Sequence, residues 1–195
     1  MLDFRLCGIP CRVSLLFPAL LTALLLYQDD TLTVTCLLAS LIHEGGHLLA
    51  MLLLRIPPKE CVVGLFGLRV RLRDRLAAYG RPIWIALAGP LMNALSAAVS
   101  FPLNRVEAAL VHLCLAVLNL LPVMALDGGE ILRCLSRVWG WESDRLLQIS
   151  SFAVILCLMA GGVWLMEVYR NPTLWIVGVY LAIMAFFSDK IEKNT

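Results

Sequence analysis

The sequence predicts an all-α membrane protein with six transmembrane helices and a short β-hairpin between helices 2 and 3. Three features predict this fold class: an excess of apolar residues, six long apolar segments, and an uneven distribution of basic residues. Of the 195 residues, 61% are hydrophobic and only 15% are charged, and the mean hydropathy is +0.86. Soluble domains carry more charge, so an excess of this size requires the lipid bilayer as a solvent.

Six apolar segments approach the roughly 20 residues that a helix needs to cross the hydrocarbon core. They cover residues 13–27, 31–54, 82–101, 106–121, 146–168 and 173–187. With a cytoplasmic N-terminus, fourteen of the 16 Lys and Arg residues fall in cytoplasmic segments, and only Arg105 and Arg170 fall outside. Because cytoplasmic loops concentrate Lys and Arg, this distribution predicts a multi-pass integral membrane protein with both termini in the cytoplasm.

The β-hairpin is predicted in the basic segment between the second and third apolar segments. Apolar and basic residues alternate from Leu68 to Arg73, which is the two-residue period of a strand. Gly64 and Gly67 are suited to interrupt the strands. The segment is interpreted either as a basic loop against anionic lipid headgroups or as a strand that binds substrate by edge pairing. The two interpretations are compatible.

The whole chain, residues 1–195, is predicted to form a single domain whose first partner is the lipid bilayer. A net charge of +2 gives no general case for nucleic-acid binding. The seven cysteines are scattered, and several lie within apolar segments, where a free cysteine behaves as a small apolar residue. Their pattern favours neither a disulfide framework nor a cysteine zinc site.

A metal-binding pattern, H-E-x-x-H, lies inside the second apolar segment and comprises His43, Glu44 and His47. Residues four apart share one face of a helix, so the two histidines can offer nitrogens to one metal ion. Glu44 follows the first of them and can take a proton from a water on that metal. Burying such groups in hydrocarbon is costly unless they are paired or bound to metal, so the setting favours a metal site.

A third ligand is predicted after the fourth apolar segment, where Asp127 precedes two glycines. By itself, Asp127 would be interpreted as the N-cap of a helix over residues 128–139. A histidine pair that needs another ligand favours the ligand role instead, with Glu130 as the rival ligand. His112, in the fourth apolar segment, is interpreted as a hydrogen-bonded buried histidine rather than a ligand.

Three motifs in this order resemble the site-2 protease family of intramembrane zinc metalloproteases. They are H-E-x-x-H at residues 43–47, G-P-x-x-N at residues 89–93, and N-x-x-P-x-x-x-x-D-G at residues 119–128. The resemblance implies a zinc metalloendopeptidase in which Zn²⁺ is held by His43, His47 and Asp127. It implies that Glu44 is the catalytic base, that Asn119 holds substrate or the oxyanion, and that Asn93 helps to line the substrate path.

Among members of that family, the chain is most similar to the stage IV sporulation protein FB branch. This resemblance implies cleavage of a membrane-associated precursor of a sporulation sigma factor, with a regulatory membrane protein as a further partner. One departure concerns residues 123–125, Val-Met-Ala, where many members carry a second proline. The alternative function is an intramembrane metal transporter or sensor, which would bind metal through the same residues without protease activity.

Overall fold

The computed structural model describes residues 2–6, 9–13, 31–56, 58–64, 67–72 and 81–193. Within them lie six helices: α1 Thr31–Leu53, α2 Arg81–Ser100, α3 Val106–Asn119, α4 Asp127–Trp139, α5 Ser143–Tyr169 and α6 Thr173–Lys193. The described strands are β1 Leu2–Leu6, β2 Ile9–Val13, β3 Pro58–Gly64 and β4 Gly67–Leu72. The chain divides into two compact units, Met1–Ala116 and Val117–Thr195, and the single domain stays a prediction.

The predicted fold class is wrong, because the described chain is not an all-α bundle with one isolated hairpin. Strands β3 and β4 belong to a four-stranded sheet of order β1-β2-β3-β4. Strand β2 pairs with β3 in parallel, with Cys11 opposite Cys61, whereas the two outer pairs are antiparallel. Strand β1 was missed although apolar and charged residues alternate from Leu2 to Leu6. The parallel pairing of β2 with β3 across 50 residues leaves no local pattern.

The number of six membrane-spanning helices is also wrong for the described residues. Three helical segments there are long and apolar enough to cross a membrane: Thr31–Leu53, Ile83–Ser100 and Asp144–Tyr169. Helix α3 has 14 residues and extends about 21 Å at 1.5 Å per residue, less than the roughly 30 Å of the hydrocarbon core. The first predicted segment, residues 13–27, lies outside the described residues except for Val13 in β2.

Large apolar side chains cover the outside of the helices. Leu52 in α1 is 74% exposed and Phe152 in α5 is 70% exposed, and many other Leu, Val and Trp side chains are similarly exposed. Contiguous apolar surface of this extent would be unfavourable in water at about 25 cal/mol per Å². Together with the apolar helices, this surface identifies a membrane protein whose helices face lipid.

Inside the first unit, helices α1 and α2 pack closely because small residues meet at their interface. A Cβ atom added to Gly46 would lie 2.6 Å from the carbonyl oxygen of Ala88 and 2.7 Å from Met92 Cγ. Such contacts between backbones stabilise helix pairs in lipid, where no hydrophobic effect acts between them. The close approach brings the histidine-bearing face of α1 against α2, which determines which atoms of α2 contact the two histidines.

Candidate metal centre

His43 and His47 lie one turn apart in the middle of α1 and are almost completely buried, at 5% and 8% exposure. Their Nε2 atoms are 3.2 Å apart, and the two rings meet edge to face with centroids 4.8 Å apart. Two nitrogens that each bind a tetrahedral zinc at 2.0–2.1 Å would be about 3.3 Å from one another. The histidine pair therefore has the spacing that one shared zinc ion requires.

One face of α2 supports the histidine pair through Ile85, Gly89 and Asn93, which are four residues apart and so lie in one row. His47 Nδ1 donates a hydrogen bond of 2.7 Å to the backbone carbonyl oxygen of Ile85. Because a carbonyl can only accept, this bond keeps the ring proton of a neutral His47 on Nδ1. The lone pair then lies on Nε2, the atom that faces His43 and that a metal would bind.

Gly89 makes room for both imidazole rings. A Cβ atom at this position would overlap His47 Nε2 and would lie 2.6 Å from His47 Cε1 and 2.8 Å from His43 Cε1. Real Cβ atoms do not approach other atoms this closely, so any larger residue would displace the rings. The glycine of the G-P-x-x-N motif is thus required by the space that the histidines occupy.

Replacing Gly89 with alanine is expected to weaken metal binding by about 10–100-fold, the range found when groups that orient metal ligands are disturbed. The dissociation constant of Zn²⁺, measured by competition with a chelator, checks this. Gly45→Ala is the matched control, because a Cβ atom on Gly45 would meet no other atom within 4 Å. Equal zinc affinities for the two variants would contradict the assigned role of Gly89.

Asn93 connects His43 to the third histidine of the chain. Its side chain is wholly buried, at 0% exposure, and its Nδ2 donates to His43 Nδ1 at 3.2 Å. Its Oδ1 accepts a hydrogen bond of 3.0 Å from Nδ1 of His112. The prediction that His112 is a hydrogen-bonded buried histidine is confirmed. The sequence contained no signal for the contact of Asn93 with two histidines, and its predicted place along the substrate path stays a prediction.

Asp127 belongs to the second unit, where it is the first residue of α4 and is partly buried. The N-cap position is occupied by Leu126, which makes no side-chain cap hydrogen bond, so the interpretation of Asp127 as the N-cap residue is wrong. The two glycines that follow pack against backbone carbonyl oxygens of Leu120, Leu121 and Val123. Residues with a Cβ atom would not fit there, so the glycine pair allows the chain to turn tightly as α4 begins.

Two serines of α5 hold the segment that precedes Asp127. Ser150 Oγ donates to the carbonyl oxygen of Pro122 at 2.9 Å, and Ser151 Oγ accepts from the Met124 backbone N–H at 2.9 Å. These bonds act on residues 122–124, where the chain lacks the second proline that is common in the resembled family. The two hydrogen bonds from α5 can restrict the backbone of this segment, which has no second proline to do so.

Among the described residues, His43 and His47 of the first unit and Asp127 of the second carry donor atoms that could hold a metal ion. Two imidazole nitrogens and one carboxylate oxygen resemble the three-ligand sets of catalytic zinc sites, which leave a fourth position open. The donor set, the spacing of the Nε2 atoms and the fixed His47 proton therefore fit zinc.

Glu130 and Cys134, one turn apart on α4, have other partners. Glu130 Oε2 accepts a hydrogen bond of 2.6 Å from Arg133 Nη1, and the two side chains form an ion pair. Glu130 is therefore assigned to this ion pair and not to the metal as the rival of Asp127. Burial, and then the nearby Glu130 carboxylate, raises the pKa of the Cys134 thiol to about 11. Metals bind the thiolate, so a thiol that remains protonated at neutral pH is a poor ligand.

The two remaining predicted residues lie at helix positions that are neither fully buried nor fully exposed. Glu44 directly follows His43 in α1, and Asn119 is the last residue of α3. The catalytic role of Glu44 and the substrate or oxyanion role of Asn119 stay predictions at this point.

Comparison with solved structures finds a similar fold in the site-2 protease from Methanocaldococcus jannaschii. The TM-score is 0.68, with 20% sequence identity, and the match covers 96% of this chain and 94% of that chain. At this identity the similarity shows the fold. No protein-family model matches the sequence, and no curated protein matches it either.

Proposed function

We propose that the chain is an intramembrane zinc metalloendopeptidase that hydrolyses a peptide bond in a membrane-associated protein. The observation that carries the proposal is the buried pair of His43 and His47, whose Nε2 atoms are 3.2 Å apart, with Glu44 directly after the first histidine. Asp127 is the proposed third ligand. The fold, shared with a protein described as a site-2 protease, supports the same function. The motifs that resemble that family supply the ligands and the glutamate.

Glu44 moves the proton in the proposed reaction. Its carboxylate accepts a proton from the attacking water and later donates that proton to the amine released when the peptide bond breaks. His43, His47 and Asp127 would hold a zinc ion, which would supply a Lewis acid to polarise the carbonyl and to lower the pKa of water towards about 7. The side-chain amide of Asn119 is proposed to donate a hydrogen bond to the carbonyl oxygen as negative charge develops there.

The substrate must lose helical structure before it is cut, because carbonyl groups within a helix are already hydrogen-bonded. Strand β4 is proposed as the place for the unwound segment, since among the described strands it is the last in the sheet order and pairs with β3 alone. An added strand would be held by backbone hydrogen bonds, which suits substrates of varied sequence. Because the substrate must unwind before it is cut, we expect helix-breaking residues near the cleavage site.

The distribution of basic residues supports a multi-pass orientation with both termini in the cytoplasm, so that strands β3 and β4 face the cytoplasm. The substrate proposed for this orientation is a membrane-associated precursor of a sporulation sigma factor, and a regulatory membrane protein is the proposed further partner. Both follow from the resemblance to the stage IV sporulation protein FB branch.

Removing and restoring the metal tests the proposal. Membranes that contain the full chain and one of a panel of membrane-tethered sigma-factor precursors are incubated with a strong zinc chelator and then with excess Zn²⁺. Cleavage, followed by immunoblot of a tagged substrate, is expected to stop with the chelator and to resume with zinc, because polarisation of the carbonyl depends on the ion.

Cleavage that continues after the metal has been removed would contradict a metalloprotease. Zinc uptake or zinc-dependent signalling without any cleaved product would instead identify the alternative, an intramembrane metal transporter or sensor.

A further inference from the structure

The three histidines of the chain are joined by one continuous run of hydrogen bonds within the first unit. The run connects His112 to Asn93, Asn93 to His43, His43 to His47, and His47 to the carbonyl oxygen of Ile85. All four side chains are buried. A buried polar group that loses its hydrogen bond is destabilising, so the bonds of these side chains are expected to be kept in each state that the site adopts.

The Ile85 carbonyl determines the direction of the whole run. It can only accept, so His47 Nδ1 donates, and Nε2 of a neutral His47 must accept from His43 Nε2. His43 Nδ1 then carries the lone pair and accepts from the Asn93 NH₂ group. The Asn93 carbonyl oxygen in turn accepts from His112 Nδ1, so the bonds run from His112 towards Ile85.

This direction does not permit a metal on Nε2 of His43, because that nitrogen carries the ring proton. A metal there requires the proton on Nδ1, and Nδ1 must then donate to Asn93. Asn93 can accept from it only by turning its amide through half a rotation, which exchanges the positions of its oxygen and its NH₂ group. The NH₂ group would then face His112 Nδ1, which must accept, so the His112 proton moves to Nε2.

We propose that Asn93 and His112 are positioning residues that couple metal binding at His43 to a reversal of this hydrogen-bond run. An asparagine suits the task, because its amide has a donor and an acceptor of nearly equal size and shape that can exchange places in a fixed cavity. Both directions keep the hydrogen bonds of Asn93 to His43 and to His112, so these bonds are present in the metal-free and in the metal-bound state. The proposal rests on the proposed metal site.

Nitrogen NMR of the full chain labelled with ¹⁵N-histidine tests the reversal directly, because there are only three rings to assign. In detergent micelles without metal, His112 is expected to carry its proton on Nδ1. Addition of Zn²⁺ is expected to move that proton to Nε2, although His112 is not a metal ligand. Zinc that binds while both His112 nitrogens keep their shifts would overturn the proposal.

A pair of variants at Asn93 separates this coupling from simple packing. Asn93→Asp replaces the amide by a carboxylate that only accepts, so it favours the proton on His43 Nδ1 and is expected to hold Zn²⁺ at least as tightly as the native chain. Asn93→Leu removes both hydrogen bonds and is expected to weaken zinc binding by about 10–100-fold. Equal losses in the two variants, measured by chelator competition, would indicate packing alone and overturn the proposal.

Neither measurement needs a substrate, which separates the two proposals. Zinc binding with the His112 change supports the reversal even if no substrate is cleaved. Zinc binding without the change overturns the reversal and leaves the protease proposal standing. A chain that binds no zinc would overturn the metal site and both proposals together.

Discussion

Glu44→Gln is expected to lower the rate of substrate cleavage by about 10²–10⁴-fold, the usual contribution of a general acid or base, while the metal stays bound. Glutamine keeps the size of the side chain but can neither accept a proton from water nor pass one to the leaving amine. The metal ligands His43 and His47 are unchanged. Cleavage in membranes, followed over time by immunoblot, and the zinc content of the purified variant are the two measurements.

Glu107→Gln provides the matched control for this substitution. Glu107 lies in the first turn of α3 and is exposed, so the same chemical change there is expected to leave cleavage unaltered. If Glu44→Gln retains both zinc and full activity, Glu44 is not the proton carrier. A metal transporter or sensor would also tolerate Glu44→Gln, because that function requires the metal ligands and not the glutamate.

Asp127→Asn is expected to remove metal binding and cleavage together. Asparagine has nearly the same shape as aspartate but offers a neutral oxygen, so the site would lose a charged donor of its proposed three-ligand set. Loss of a ligand should exceed the effect of disturbing the groups around it, so we expect zinc affinity to fall by at least about 100-fold. Chelator competition measures the affinity, and the membrane assay measures cleavage.

Glu130→Gln tests the specificity of this effect on the same helix. Glu130 is three residues further along α4 and pairs with Arg133, so its neutralisation should break that ion pair and leave zinc affinity unchanged. The opposite result, with zinc lost in Glu130→Gln and retained in Asp127→Asn, would make Glu130 the ligand and contradict the proposed centre.

Local patterns in the sequence predicted several helices closely. The second apolar segment was predicted over residues 31–54, and α1 spans Thr31–Leu53. The segment considered at residues 128–139 is α4, which spans Asp127–Trp139 and stops at Gly140 in the left-handed conformation, with φ of 70°. A glycine in this conformation is a common end of a helix because it has no Cβ atom to oppose it. Signals of this kind lie within a few residues of the boundary that they predict.

The sheet was misjudged for the opposite reason. The parallel pairing of β2 with β3 joins residues 11–13 to residues 61–63. Neither segment by itself contains a signal that predicts this pairing. The same holds for Asn93, whose G-P-x-x-N motif suggested a place on the substrate path. Its contacts with His43 and His112 depend on the packing of α2 against two other helices. This packing cannot be predicted from the sequence of one segment alone.

By itself, the sequence determined that the protein belongs in a membrane and that His43 and His47 share one helix face with Glu44 between them. Apolar length and a spacing of four residues are local properties, so they persist in any fold that contains the helix. Only the tertiary structure decided how close the Nε2 atoms of the two histidines lie, which nitrogen of His47 carries its proton, and why residue 89 is glycine. These depend on atoms from separate helices, whose distances are set by packing and not by position along the chain.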